Sequence, residues 1–171
     1  AAALLHDIGR PAEMTDCGKT CHAELGAAMA PEMMRQAGVE DETFIEHVAA
    51  CIRTHRYRSR DRCQPDTREA EVVFDADKLD AIGAVGIGRA FHFAGRVGAR
   101  VHNTLEEALD GEAYGAEDTA YREYLVKLRY VHEHMLTGEG RRMANERHAF
   151  MERFFGELDV ETAESALPTA G

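Results

Sequence analysis

His6 and Asp7 stand side by side at the end of an apolar stretch, Ala1-Ala2-Ala3-Leu4-Leu5. Neighbours on a helix point about 100° apart, so the two side chains do not stack, but both can reach one ion beside a helix end. A neutral imidazole next to a hard carboxylate suits Mn²⁺, Fe²⁺, Zn²⁺ or Mg²⁺ better than a soft metal. Taken alone, the dipeptide reads as a hydrogen-bonded surface pair. A second group stands at Asp75-Ala76-Asp77-Lys78-Leu79-Asp80. Asp77 and Asp80 are three apart and share a helix face. Carboxylates this close repel one another, and a cation, Lys78 or helix N-terminal amides would relieve them. Val72-Val73-Phe74 before and Ala81-Ile82 after are apolar, which predicts that at least one carboxylate is buried and needs a partner. The alternative is a solvated acidic helix start.

His22 opens one predicted helix and His55 closes another. Either suits a metal ligand, a phosphate donor or a general acid. His47, His92, His102, His132, His134 and His148 read as structural or exposed. Arg53, Arg56, Arg58, Arg60 and Arg62 are interleaved with His55 and Tyr57, in a chain whose net charge is −11. Arginine grips phosphate with two parallel hydrogen bonds, so some of these are candidates for holding substrate phosphates. A solvated loop is the competing reading.

These residues need helices to carry them. Ala1 to Ile8 is rich in helix formers, with Gly9 and Pro11 expected to stop the run. From His22 to Ala37, Leu25, Ala28, Met29, Met33 and Ala37 recur at helical spacing, and Gly38 fits the position just past a helix end. Pro31 is expected to kink or split that helix. Asp41 is placed to cap a helix carrying Phe44, Val48, Cys51, Ile52 and His55. Residues 58–68 read as a loop. Ala70 to Gly98 is one long mixed segment in which Val72-Val73-Phe74 alone would pass for a strand. Residues 102–117 read as a polar connection. Asp118 or Thr119 is expected to cap an amphipathic helix from Tyr121 to Leu136, and a last helix carries Met143, Phe150, Met151, Phe154, Phe155 and Leu158 on one stripe. The fold class is all-α: a single domain over residues 1–160 and a flexible tail over 161–171.

The 171 residues fit one domain of about 150. With 44% hydrophobic and 30% charged residues, a packed core is expected and wholesale disorder is not. The acidic balance gives no general footprint for nucleic acid or an anionic membrane. No apolar run approaches the roughly 18 residues of a membrane span. Cys17 and Cys21 are four apart, and with Cys51 and Cys63 they read as reduced thiols of a cytoplasmic protein. The chain opens without an initiator Met, a signal-peptide n-region or a helix cap. The expectation is that a helix is entered in mid-stride and that the chain is part of something longer.

Together these residues resemble the HD superfamily of metal-dependent phosphohydrolases. The resemblance is carried by ALLHDIG at 3–9, HAELGA at 22–27, IRTH at 52–55 and DADKLDAIGAVGIGRAF at 75–91, with a further similarity from Lys127 to Phe154 to a small bacterial branch of predicted hydrolases that are nucleoside triphosphate pyrophosphatase-like. It covers nearly the whole chain and implies an HD-domain helical bundle. It also implies that His6, Asp7 and Asp77 are metal ligands, joined by a histidine from an earlier helix that precedes this sequence. Binuclear branches carry a His-His pair where this chain has His55-Arg56, so the resemblance implies one metal. It leaves His22 and His55 for phosphate contact or protonation, and Asp80 or Asp7 as proton acceptor. Lys78, Arg56, Arg58 and Arg89 are implied as phosphate-binding. No Gly-Tyr-Pro motif is present, which argues against a cyclic-dinucleotide phosphodiesterase.

The implied cofactor is a divalent metal: Mn or Mg by preference, with Fe, Zn and Ni as other options. The implied reaction is hydrolysis of a nucleotide or other small-molecule phosphate ester, for example a nucleoside triphosphate to monophosphate plus pyrophosphate. The alternatives are a nucleoside monophosphate phosphatase, or a non-catalytic HD module that binds a nucleotide. A di-iron oxygen-activating protein is a third class, weakened by Arg56. No nucleic-acid or membrane partner is expected, and the state expected is a monomer or weak homodimer.

Overall fold

A computed structural model describes residues 1–16, 19–56 and 64–165. Among the described residues there are helices and no strand, in agreement with the all-α expectation. None of the described helices is long and apolar enough to cross a membrane. The chain divides into two compact units, residues 1–77 and 78–171.

The first unit holds α1 (Ala2–Leu5), α2 (Arg10–Thr15), α3 (His22–Gln36), α4 (Glu42–Thr54) and all but the last two residues of α5 (Arg68–Leu79). Its centre is the packing of α3 on α4. Ala27, Ala30 and Met34 of α3 meet Ile45, Val48 and Ile52 of α4, with Leu5 and Ile8 against them. Asp41 caps α4 as expected, its Oδ1 accepting from the Phe44 N–H at 3.0 Å. At the end of α3, Gly38 takes φ +86°, and the Val39 N–H returns to the Met34 carbonyl at 3.0 Å.

Two prolines of this unit, Pro11 and Pro31, act differently from expectation. Pro31 does not split α3, because Ala23, Ala27, Ala30 and Met34 bury one continuous face on either side of it. Pro11 does not end a helix but lies in the first turn of α2, where its missing N–H has no helical partner to lose.

The second unit holds α6 (Gly83–Arg96), α7 (Leu105–Asp110), α8 (Ala120–Val126), a 3₁₀ helix (Leu128–His134) and α9 (Gly138–Ser165). Ile87, Leu125, Leu128, Val131, Met151 and Phe155 form its core. The segment 70–98 is two helices, and Val72-Val73-Phe74 belong to α5 rather than to a strand. The break falls before Gly83, whose φ of +74° is costly for any residue with a Cβ. The connection over 102–117 contains α7, started by a reciprocal capping box between Thr104 and Glu107. The helix expected from Tyr121 to Leu136 is interrupted at Lys127 and continues as the 3₁₀ turn. Thr119 caps α8 through its Oγ1 and the Arg122 N–H. α9 persists to Ser165, beyond the Val160 boundary expected for the tail.

Candidate metal centre

The centre is assembled by α1, α3 and α4 through one close approach. A Cβ at Gly9 would stand 2.4 Å from the His22 carbonyl oxygen, so only glycine lets the turn after Asp7 lie on the start of α3. His6 ends α1, His22 is the first residue of α3 and His55 follows the last residue of α4. Packing α3 on α4 then buries both His22 and His55, the latter completely.

Each of the three rings is fixed by its Nδ1. His6 Nδ1 donates to the Ala3 carbonyl at 2.9 Å, His55 Nδ1 to the Ile52 carbonyl at 2.6 Å, and His22 Nδ1 to Glu13 Oε2 at 2.6 Å. Carbonyl and carboxylate oxygens only accept, so in the neutral rings each Nε2 carries the lone pair. All three Nε2 atoms gather round Asp7. His22 Nε2 is 3.5 Å and His55 Nε2 3.9 Å from Asp7 Oδ1, and His6 Nε2 is 3.7 Å from Asp7 Oδ2 and 3.9 Å from Asp77 Oδ1. His22 Nε2 and His55 Nε2 face each other at 3.2 Å. Two imidazole lone pairs at that separation need a proton or a metal ion between them.

Asp7, His22 and His55 offer one ligand atom each, all within 4.8 Å of one another. The donor set is hard oxygen with imidazole nitrogen, and each imidazole is backed by a hydrogen bond from its other nitrogen. The residues present therefore fit a divalent transition metal or Mg²⁺. His6, Asp7 and Asp77, predicted from sequence as the ligand set, lie in the same cluster. His22 and His55, predicted for phosphate or proton work, approach Asp7 as closely as His6 does.

Two residues that sequence reasoning missed complete the surroundings. Arg10 Nη2 bonds both Asp7 oxygens, at 2.8 and 3.1 Å, and Nη1 reaches Glu13 Oε2 at 3.3 Å. Buried Glu13 takes His22 on Oε2 and the Arg56 Nη2 on Oε1, the latter at 2.6 Å. A signal existed: Asp7, Arg10 and Glu13 are spaced by three, which puts them on one face. Burial, then the Arg10 charge, hold His22 below the usual histidine range against the opposing pull of Glu13 and Asp7. Burial raises the Cys21 thiol, but the Glu24 N–H and the Arg56 side chain outweigh it and leave that thiol below its ordinary value.

Asp75 is the carboxylate that the apolar flanks predicted to be buried, at 3% exposure. Lys78 is also buried. In the second unit, Asp80 and Arg89 form an exposed ion pair with each other. Arg58 lies outside the described residues. An apolar recess of about 430 Å³ beside Phe44, Val48 and Val72 contains none of the predicted site residues, so it is separate from this chemistry.

Residues 1–82 match the HD domain family. The chain is 37% identical over 124 residues to YpgQ of Bacillus subtilis (strain 168), covering 72% of this chain and 54% of that protein; it therefore spans about half the length of this curated relative. The crystal structure of B. subtilis YpgQ in complex with ADP superposes with a TM-score of 0.63 at 28% identity, covering 94% of this chain and 72% of that one. A Bacillus thuringiensis structure described as an HD-superfamily hydrolase gives 0.64 at 26% identity, with 95% and 71% covered. A predicted HD-superfamily hydrolase from an uncultured Thermotogales bacterium gives 0.58 at 29% identity, with 94% and 64% covered. The match to the HD domain family over residues 1–82 takes in the His-Asp pair and the histidines gathered on it.

Proposed function

We propose that this chain is a metal-dependent phosphohydrolase acting on nucleotides, with hydrolysis of a nucleoside triphosphate to monophosphate and pyrophosphate as the favoured reaction. The observation that carries the reading is the convergence of three imidazole Nε2 atoms on the Asp7 carboxylate, with every Nδ1 already committed elsewhere. Such a set has no structural need for so many inward lone pairs and suits a cation. The descriptions of the relatives as HD-superfamily hydrolases support the reaction type, and the ADP in the YpgQ crystal supports a nucleotide.

His6, Asp7 and Asp77 would hold the cation, and the facing His22 and His55 nitrogens favour their joining the coordination or sharing a proton. A bound Mn²⁺ or Mg²⁺ supplies Lewis acidity, acidifying water and offsetting phosphoryl charge. The rest falls to the chain. Asp7 accepts the proton of the attacking water. His55 Nε2 holds a proton for the departing phosphate oxygen, with the His22 Nε2 lone pair facing it at 3.2 Å. Arg56, held on Glu13 next to His22, supplies positive charge that an acidic chain otherwise lacks for an anionic substrate.

The test is a panel of nucleoside mono- and triphosphates with Mn²⁺, in which phosphate and pyrophosphate are quantified separately. Pyrophosphate release from triphosphates, abolished by EDTA, is the expected result. Phosphate released from monophosphates alone would move the function to a nucleotidase. Stoichiometric nucleotide binding with no release of either product would make this a binding module.

A further inference from the structure

We propose that Glu13 is the positioning residue of this site: clamped by Arg56, it dictates which nitrogen of His22 faces Asp7. The inference deepens the phosphohydrolase reading and rests on it for its kinetic arm alone.

Glu13 is a carboxylate in a place where a charge needs a reason. It is 8% exposed and sits on α2, a helix of six residues. Three donors meet it. Its Oε1 takes Arg56 Nη2 at 2.6 Å, and its Oε2 takes His22 Nδ1 at 2.6 Å and Arg10 Nη1 at 3.3 Å. The arginines hold the carboxylate at both ends, Arg56 on Oε1 and Arg10 on Oε2, and carboxylate oxygens only accept. A neutral imidazole facing a fixed acceptor must place its proton on that side. Glu13 therefore forces the Nδ1–H form of His22 and turns the Nε2 lone pair toward Asp7 and His55. Free histidine prefers the opposite tautomer, with the proton on Nε2. Without Glu13 that proton would point at His55 Nε2, 3.2 Å away, and the His22 lone pair would be lost to a cation beside Asp7.

His6 and His55 reach the same state by donating to backbone carbonyls, which no substitution removes. His22 is the ring set by a side chain, and so it is the one that mutation can release. The same arrangement gives Arg56 a role in the site even without contact to substrate, since it holds the far oxygen of the clamp.

The experiment is ¹⁵N-edited NMR of the histidine rings at pH 8 in the metal-free chain, paired with kinetics in Mn²⁺. The wild-type His22 should show a protonated Nδ1 and an unprotonated Nε2. In Glu13→Ala the proton should move to Nε2, and kcat should fall about 10- to 100-fold with KM little changed. Formate, a small carboxylate that fits the vacated space, should restore part of both. Glu13→Gln keeps the side-chain volume and guards against misfolding of the alanine variant. Its single carbonyl cannot serve Oε1 and Oε2 positions together, so its tautomer ratio should lie between the other two.

An Nε2–H tautomer in the wild type, or a His22 tautomer unchanged in both variants, would overturn the proposal. A wild type that hydrolyses no nucleotide would contradict the phosphohydrolase reading instead, and the NMR result on Glu13 would stand apart from it.

Discussion

At the residue scale, the chemistry depends on which ring nitrogens point inward, and that is set by hydrogen bonds several residues away. In the sequence His6 and Asp7 were visible through their types and adjacency, and Asp77 only through the resemblance that picked it out of the acidic run 75–80. It also marked His22 and His55 through their places at helix ends. It did not show that His22 and His55 come as near to Asp7 as His6 does, because that depends on α3 packing against α4. Glu13 was passed over because a glutamate in a short polar helix looks solvated until its burial is known. Gly9 is the residue on which the assembly turns. Gly9→Ala should destabilise the first unit by about 1–3 kcal/mol, since backbone rather than a flexible side chain blocks the new methyl group. Chemical denaturation reads that loss, and an unchanged midpoint would show that the turn can move away from α3.

At the element scale, helix starts were legible where a cap residue precedes an apolar run, as at Asp41 and Thr119. Interruptions were less legible. The change from α8 to the 3₁₀ helix at Lys127 has no proline or glycine to announce it. It is fixed by tertiary packing, which overrides local propensity. That 3₁₀ turn and α9 meet through a stacked pair of histidines, His132 and His148, with ring centroids 3.7 Å apart. Burial, and then the neighbouring His132, push the His148 value below its ordinary 6.5, while Glu152 and Glu133 act in the other direction. A folded value below the unfolded one means that the unfolded chain takes up the proton first. The contribution of His148 is thus present above pH 6.5 and is lost as pH falls through the folded value. Denaturation curves at pH 7.5 and pH 5.5 should show the wild type losing more stability on acidification than His148→Gln. Equal losses would remove the pair from the account.

At the scale of the whole molecule, the all-α class followed from the 3.6-residue periodicity that runs through most of the chain, and the composition permitted a full core. The division after Asp77 was not legible, because α5 runs through it without a change in composition. The Met143-to-Leu158 stripe was legible as buried but not as to what it packs on. Met151 and Phe155 are buried within the second unit, among Leu125, Leu128 and Tyr121. Phe155→Ala should therefore cost about 3–5 kcal/mol, measured by denaturant unfolding. A loss below about 1 kcal/mol would mean that the stripe is not a core of this chain. The account as a whole rests on Asp7 as the point where imidazoles and carboxylate meet round a cation. The measurement that tests it most directly is calorimetric titration of Mn²⁺ into the wild-type chain and into Asp7→Ala. Saturable Mn²⁺ binding by the wild type and its loss in Asp7→Ala is the predicted result. Equal Mn²⁺ binding by the two proteins would contradict the assignment.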